Sequence, residues 1–413
     1  MRYFNTIIVG GGPSGITCSY YLKMNNIEHL IIEKGEMLQT WKHERWDSFY
    51  LVTPNWMTNL PGLDHEIPYN NEYMSKDEIL RVFERYLDFV CPNHMENTTI
   101  GHISKCEEGY LVETDRGEFI AEHIIIATGM YNNPFVPEIS QKLPENVFQM
   151  HSSDYRNPDQ LKPGNVVVVG SGWSGVQIAL ELRRLTGREI YLSIGSMTPL
   201  PTVYRNINGV YWLNRLSGYK KGKAILSYHL DDFKNTNIAN KLNQNLKQCQ
   251  MEGVQILGRM TDVEGDFLIF SDSLHKSIED ADDYLDQVKI RIEEHIAIEK
   301  MEVPSGTLDH YNNRLDKDLL RRITELDLDQ NKIGNIIWST GFKRDYSWID
   351  LPIFNEKGLP VVEDGDSISE SIYFCSLGLS VDTKLKSAFG VGLFAINESA
   401  ERTVQMLLDN TKK

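Results

Sequence analysis

The same arrangement of residues occurs twice in this chain, and it restricts the fold more than any other feature. Near the start, "TIIVGGGPSG" (Thr6 to Gly15) is a β-branched run ending in glycines spaced G-x-G-x-x-G, at Gly10, Gly12 and Gly15. "NVVVVGSGWSG" (Asn165 to Gly175) repeats the spacing at Gly170, Gly172 and Gly175. Apolar residues at helical spacing follow each run, in "GITCSYYLKMNN" and "GVQIALELRRLTG". A second apolar strand closes each unit, "EHLIIEK" in the first and "REIYLSIG" in the other. A continuous β-branched run suits a strand buried on both faces. Strand, turn, helix and strand in this order make a βαβ unit, so an α/β chain with parallel sheet is predicted.

Each glycine of such a turn has its own reason. The first permits a tight bend, the second lets a pyrophosphate approach the backbone, and the third lets the helix pack on the strand. The helix N-terminus then offers free N–H groups and a positive dipole end to phosphates. Both units are therefore predicted to be Rossmann-like, dinucleotide-binding domains. Pro13 and Ser14 lie inside the first turn, Trp173 and Ser174 inside the second. Glu33, followed by Lys34, ends the second strand of the first unit. A carboxylate there accepts hydrogen bonds from ribose hydroxyls and repels a 2′-phosphate, which suits FAD or NAD. No acid ends the corresponding strand, "YLSIGS", of the second unit. Ser193 and Ser196 there, with Arg205 beyond, are compatible with a 2′-phosphate and tilt the choice to NADPH, with NADH left open.

The 413 residues are enough for two or three domains. The reading is an FAD-binding domain interrupted by an inserted NAD(P)-binding domain. Residues 1–155 form its first part, 156–330 the inserted domain with a helical insertion, and 331–413 its second part. Crossings are expected near 130–165 and 305–335. A net charge of −16 argues against nucleic acid and against an anionic membrane surface. The apolar runs "HIIIATG" and "VVVVG" are too short to span a bilayer. No charged leader precedes "YFNTIIVG", so no signal peptide and a cytoplasmic location are expected. Cys18, Cys91, Cys106, Cys249 and Cys375 are scattered without a CxxC pair, which argues against disulfides and a dithiol centre. No metal motif or serine-nucleophile elbow occurs. "KDEILRVFERYLDFV" is predicted to be an amphipathic helix, and "DRG" the turn of a hairpin. Leu285, Val288, Ile292 and Ile296 form a helical stripe read as core, with a substrate lid as the other reading.

With these residues in place the chain resembles the two-dinucleotide-binding-domain flavoproteins, and among them the flavin-containing monooxygenase-like branch. "GGGPSG" with Glu33 is similar to that family's FAD turn. "MLQTWKHERWDSFYLVTPNWMTNLPG" resembles its segment after the second strand, placing Gln39, Trp41, Arg45 and the Thr53-Pro54 pair beside the flavin. "IIIATG" (Ala127, Thr128, Gly129) and "IIWSTGF" (Ser339, Thr340, Gly341) resemble its two Thr-Gly strand ends, and Gly378 lies in a segment implied to line the pocket. "HSSDYRN" is similar to half of the family's identifying motif through His151, Tyr155 and Arg156. The motif's opening F-x-G falls here on Glu145 and Val147, with Phe148 out of register, and the Trp-Pro or Trp-Asp ending of Baeyer–Villiger enzymes is Tyr155-Arg156.

The resemblance implies an FAD-dependent, NAD(P)H-consuming monooxygenase that forms a C4a-hydroperoxyflavin from dioxygen. Its small-molecule substrate would be a nitrogen or sulfur nucleophile or a carbonyl compound. Asn55 and Asn59 are loose candidates for the asparagine that serves the flavin in some members, and His151 is the other implied catalytic residue, with orienting the crossing strand as its other reading. A reductase passing electrons to another acceptor, an oxidase releasing peroxide and a non-catalytic redox sensor stay open, as does a homodimer.

Overall fold

The computed structural model describes residues 2–63, 67, 72–195, 203–205, 207–209, 212, 216, 245–304, 314–361, 367–369, 371–376 and 396–411. They fall into two compact units. One comprises residues 1–44, 53–133 and 342–413, the other 45–52 and 134–341.

In the first unit a sheet is built around Arg2–Val9, which pairs in parallel with His29–Ile32 on one side and Gly117–Ile126 on the other. His94–Met95 and Ile372–Phe374 extend the parallel part. Ile100–Cys106 and Gly109–Thr114 add an antiparallel meander onto the first half of Gly117–Ile126, turning at Asp115-Arg116 as the "DRG" signal predicts. Ile7, Ile8, Ile31, Ile124 and Ile126 are fully buried, as a strand covered on both faces requires. The helix Pro13–Met24 buries Ile16, Cys18 and Leu22, and it packs against Ile396–Thr411. The amphipathic helix is Lys76–Val90, where Ser75 and Glu78 form a reciprocal capping box. Its Ile79, Phe83, Tyr86 and Val90 are buried at helical spacing.

The second unit holds a sheet of five parallel strands in the order Gln255–Leu257, Ile190–Ser193, Asn165–Val169, Ile333–Trp338 and Phe148–His151. Its faces pack separate cores. Val166 and Val168 point into one with Ile190, Leu192 and Ile278; Val167 and Val169 point into the other with Tyr191, Leu257 and Trp338. This two-sided burial is why "VVVV" carries no polar alternation. Leu285, Val288 and Ile292 are buried along the helix Leu274–Ile298, the core reading of that stripe, while Ile296 is half-buried.

Residues 45–52 join the second unit, although the sequence reading kept 1–155 together. Trp46 is the cause. It is buried in that unit's core with Tyr155, edge-on to Phe49. The Asp47 N–H donates to the Arg156 carbonyl at 2.8 Å, and Asn157 Nδ2 donates to the Asp47 carboxylate at 2.8 Å.

Candidate functional site: two glycine turns

The first turn follows Val9. Gly10 has φ +110°, and a Cβ there would lie 2.7 Å from the Ala127 carbonyl oxygen, so only glycine fits. A Cβ on Gly15 would stand 2.0 Å from the Gly10 oxygen, so the helix can reach the strand only through glycine. Gly12 differs from both. Its φ of −80° suits any residue, and a Cβ would meet no atom within 4 Å. Open space therefore faces the turn at the glycine expected to admit a pyrophosphate. No side chain caps the helix, whose first residue is Pro13. Ile16 N–H bonds the Gly12 carbonyl, which leaves the Ser14 and Gly15 N–H groups without an intrahelical acceptor.

Glu33 is buried beside this turn. One carboxylate oxygen accepts from Gly11 N–H at 2.6 Å and the other from Gly35 N–H at 3.0 Å. Each oxygen keeps a further lone pair for a ribose hydroxyl. Ala127 N–H bonds the Val9 carbonyl, and Asn132 Nδ2 donates to the Thr128 carbonyl at 2.5 Å, which fixes the backbone leading through Gly129.

The second turn repeats the geometry. Gly170 has φ +114°, with a Cβ position 2.2 Å from the Ser339 oxygen, and a Cβ on Gly175 would stand 1.9 Å from the Gly170 oxygen. Gly172 again faces open space, and no side chain caps Trp173–Thr186. Trp173 is exposed and Ser174 half-buried at the helix start.

The other residues singled out from sequence fall as follows. Asn55 is buried in the one-turn helix Asn55–Met57, and Asn59 follows it; Thr53 is buried just ahead. Trp41 sits edge-on to Phe83, Gln39 Oε1 accepts from Glu36 N–H, and Lys34 is exposed. Arg45 lies in the second unit with its guanidinium over the Phe49 ring. Thr340 donates to the Phe135 carbonyl, and Gly341 has φ +82°. Ser196 and Gly378 lie outside the described residues.

Three of the expected site residues are engaged with other groups of the protein. His151 Nδ1 accepts from Ser153 N–H at 3.1 Å, so its Nε2 carries the proton and donates to the Gly341 carbonyl at 3.0 Å. Nδ1 also lies 2.9 Å from Ser153 Oγ, and burial lowers the ring's pKa. His151 thus links two strand ends. Ser193 is buried; its hydroxyl donates to the Gly258 carbonyl and accepts from Met260 N–H, both at 2.9 Å. Its only proton is used, so it cannot donate to a phosphate. Arg205 forms a two-pronged pair with Glu293, both distances 2.7 Å, and is likewise engaged.

A parallel sheet with an uncapped glycine turn in each of two units defines a protein of two nucleotide-fold lobes. An uncharacterized CzcO-like oxidoreductase of Geobacillus kaustophilus is 30% identical over 94% of this chain and 95% of its own. The probable indole-3-pyruvate monooxygenase YUCCA1 of Arabidopsis thaliana is 32% identical over 43% of this chain and 44% of its own. A flavin-containing monooxygenase structure from Stenotrophomonas maltophilia has a TM-score of 0.68 with both chains covered at 100%; at 17% identity this likeness is one of fold. The chain belongs to the pyridine nucleotide-disulphide oxidoreductase family, whose profile matches residues 7–255, and it is an oxidoreductase. Among the described residues no helix is long and apolar enough to cross a membrane, and no cluster of three or more His, Cys, Asp or Glu could hold a metal.

Proposed function

We propose that the chain is an FAD-dependent, NADPH-consuming monooxygenase acting on a small nitrogen or sulfur nucleophile or a carbonyl compound. The observation that carries this reading is the pair of matched turns, each with one glycine facing open space beside an uncapped helix. The open face at Gly12, with Glu33 buried next to it, suits the pyrophosphate and ribose of FAD. The matching face at Gly172 suits a nicotinamide dinucleotide. Bound FAD supplies acceptance of hydride from the nicotinamide and activation of dioxygen.

The chain's own residues bind and orient. Ser14 and Gly15 N–H groups would hold one pyrophosphate, and Ser174 and Gly175 the other. Glu33 would accept from a ribose hydroxyl. His151 keeps the Gly341 turn in place through its Nε2 proton. The five cysteines are scattered with no CxxC spacing, which speaks against dithiol chemistry. The monooxygenase named among the relatives supports oxygen transfer over simple electron transfer. The test is aerobic NADPH consumption with amines, sulfides and ketones. Oxygenated product matching NADPH used supports the reading. If hydrogen peroxide accounts for all the NADPH with every substrate, an oxidase or reductase replaces it.

A further inference from the structure

We propose that Arg259 recognises the 2′-phosphate of NADPH, and that Ser193 is the residue that positions it. This rests on the reading that the second glycine turn holds the nicotinamide dinucleotide. In such folds the ribose lies at the carboxyl end of the strand after the turn's helix. Here that strand is Ile190–Ser193, and its end carries no acid.

The parallel pairing brings a distant residue to that place. Ser193 stands opposite Val169 on one side and Leu257 on the other, so the chain after Leu257 leaves the sheet at the same end as the glycine turn. The turn 258–260 is then pinned. Ser193 Oγ donates to the Gly258 carbonyl and accepts from Met260 N–H, so one hydroxyl holds both neighbours of Arg259. Ser271 N–H bonds the carbonyl of Arg259 itself at 2.8 Å. The guanidinium lies against Gly195, just past the strand end. A Cβ on Gly195 would be 3.0 Å from Nη2 and 3.4 Å from Cζ and Nε, so the absence of a side chain there makes room for it.

Arg259 is exposed, and no carboxylate pairs with it among the described residues. Elsewhere in the second unit Arg184, Arg205, Arg314 and Arg322 are each matched to Glu or Asp. A guanidinium held at the ribose end of the strand, with no carboxylate partner among the described residues, fits a phosphate monoester in a two-pronged contact. Arg205, by contrast, is paired with Glu293, and the Ser193 proton is used on the Gly258 carbonyl.

The experiment is calorimetric titration of the flavin-loaded protein with 2′,5′-ADP, 5′-AMP, inorganic phosphate, NADP⁺ and NAD⁺. The expected result is that 2′,5′-ADP binds about 10- to 100-fold more tightly than 5′-AMP, the range for charge-assisted hydrogen bonds. Arg259→Ala should abolish that preference while leaving 5′-AMP and NAD⁺ affinity unchanged. Arg259→Lys should keep part of it, and Arg205→Ala all of it. Since Arg259 is exposed, Arg259→Ala should fold, with an unchanged melting curve as the check. A preference that survives Arg259→Ala overturns the proposal, as does a wild type without any. Inorganic phosphate competing as well as 2′,5′-ADP would also overturn it, in favour of a plain anion site. Failure of both NADP⁺ and NAD⁺ to bind would instead remove the nicotinamide reading of the turn, and the proposal with it.

Discussion

Tyr155 donates a 2.9 Å hydrogen bond to Glu181 inside the second unit, where both side chains are buried. Burial, against the pull of hydrogen bonds from Ser48 and Tyr155, pushes the Glu181 carboxyl above its ordinary range. The folded state therefore holds this proton more tightly than the unfolded chain. Stability linked to Glu181 is complete below the ordinary glutamate value of 4.5 and is lost as pH rises through the raised value. Glu181→Gln keeps an acceptor for Tyr155 and cannot ionise. Its melting temperature relative to wild type should rise between pH 5 and 8. Tyr155→Phe should be less stable by about 1–3 kcal/mol, the cost of leaving a buried polar partner unsatisfied. Thermal melts across that pH range check both, and parallel pH profiles for wild type and Glu181→Gln would contradict the first.

His123 presents the opposite sign. It is buried on Gly117–Ile126, and among the described residues neither ring nitrogen has a hydrogen-bond partner. Burial lowers its pKa; the Glu122 carboxylate, 3.8 Å from Nε2, opposes this, and the Tyr373 ring lies 6.0 Å away. His29 is lowered too, by burial, with Nδ1 donating to the Ile27 carbonyl and Nε2 accepting from Ser19. Both are held neutral in the fold. Their contribution is present above the ordinary value of 6.5 and is lost as pH falls through the depressed ones. His123→Phe removes two unpartnered polar atoms. It should stabilise at pH 7 by about 1 kcal/mol and reduce the loss of stability between pH 6.5 and 5. Denaturant melts at several pH values decide it, and an unchanged acid slope would count against it.

The strand–turn–helix units were legible because they rest on local requirements. Gly10 and Gly15 have no room for a side chain, and β-branched runs follow from strands packed on both faces. The parts that stayed hidden depend on residues far apart in the chain. Nothing near Ser193 announces Arg259, which arrives through the pairing of Ser193 with Leu257. Nothing in "HERWDSFYL" shows that Trp46 is buried with Tyr155 in the second unit's core. For His151 the residue type allows either chemistry or a structural link, and only the fold shows its partners, Ser153 and the Gly341 carbonyl.

The glycines of one turn should separate binding from folding. A Cβ on Gly12 meets no atom of the protein, so Gly12→Ala should fold with nearly the wild-type melting temperature. It should lose the yellow colour, since the new methyl group occupies the approach to the pyrophosphate. Gly15→Ala places a carbon 2.0 Å from a backbone oxygen and should be strongly destabilised. In the second turn, Gly172→Ala should keep its flavin and lose binding of NADP⁺, whereas Gly175→Ala, with its contact at 1.9 Å, should fold poorly. Flavin absorbance and calorimetry read these apart. Full flavin occupancy in Gly12→Ala would remove the assignment of the first turn.

Ser193 and Arg259 offer a comparison between holding a turn and using it. Ser193→Ala leaves the Met260 N–H and Gly258 carbonyl without the hydroxyl they share in a buried position. The expected loss is about 1–3 kcal/mol, a fall of roughly 2–12 °C for a unit of this size. It should also weaken the preference for 2′,5′-ADP over 5′-AMP, because both neighbours of Arg259 come loose. Arg259→Ala should abolish the preference without lowering the melting temperature. The double variant should then melt like Ser193→Ala and discriminate like Arg259→Ala, since two residues acting through one contact do not add. If Ser193→Ala lowers the melting temperature but leaves the preference whole, the turn 258–260 is held by Ser271 and the strand ends alone, and Ser193 has a structural role only.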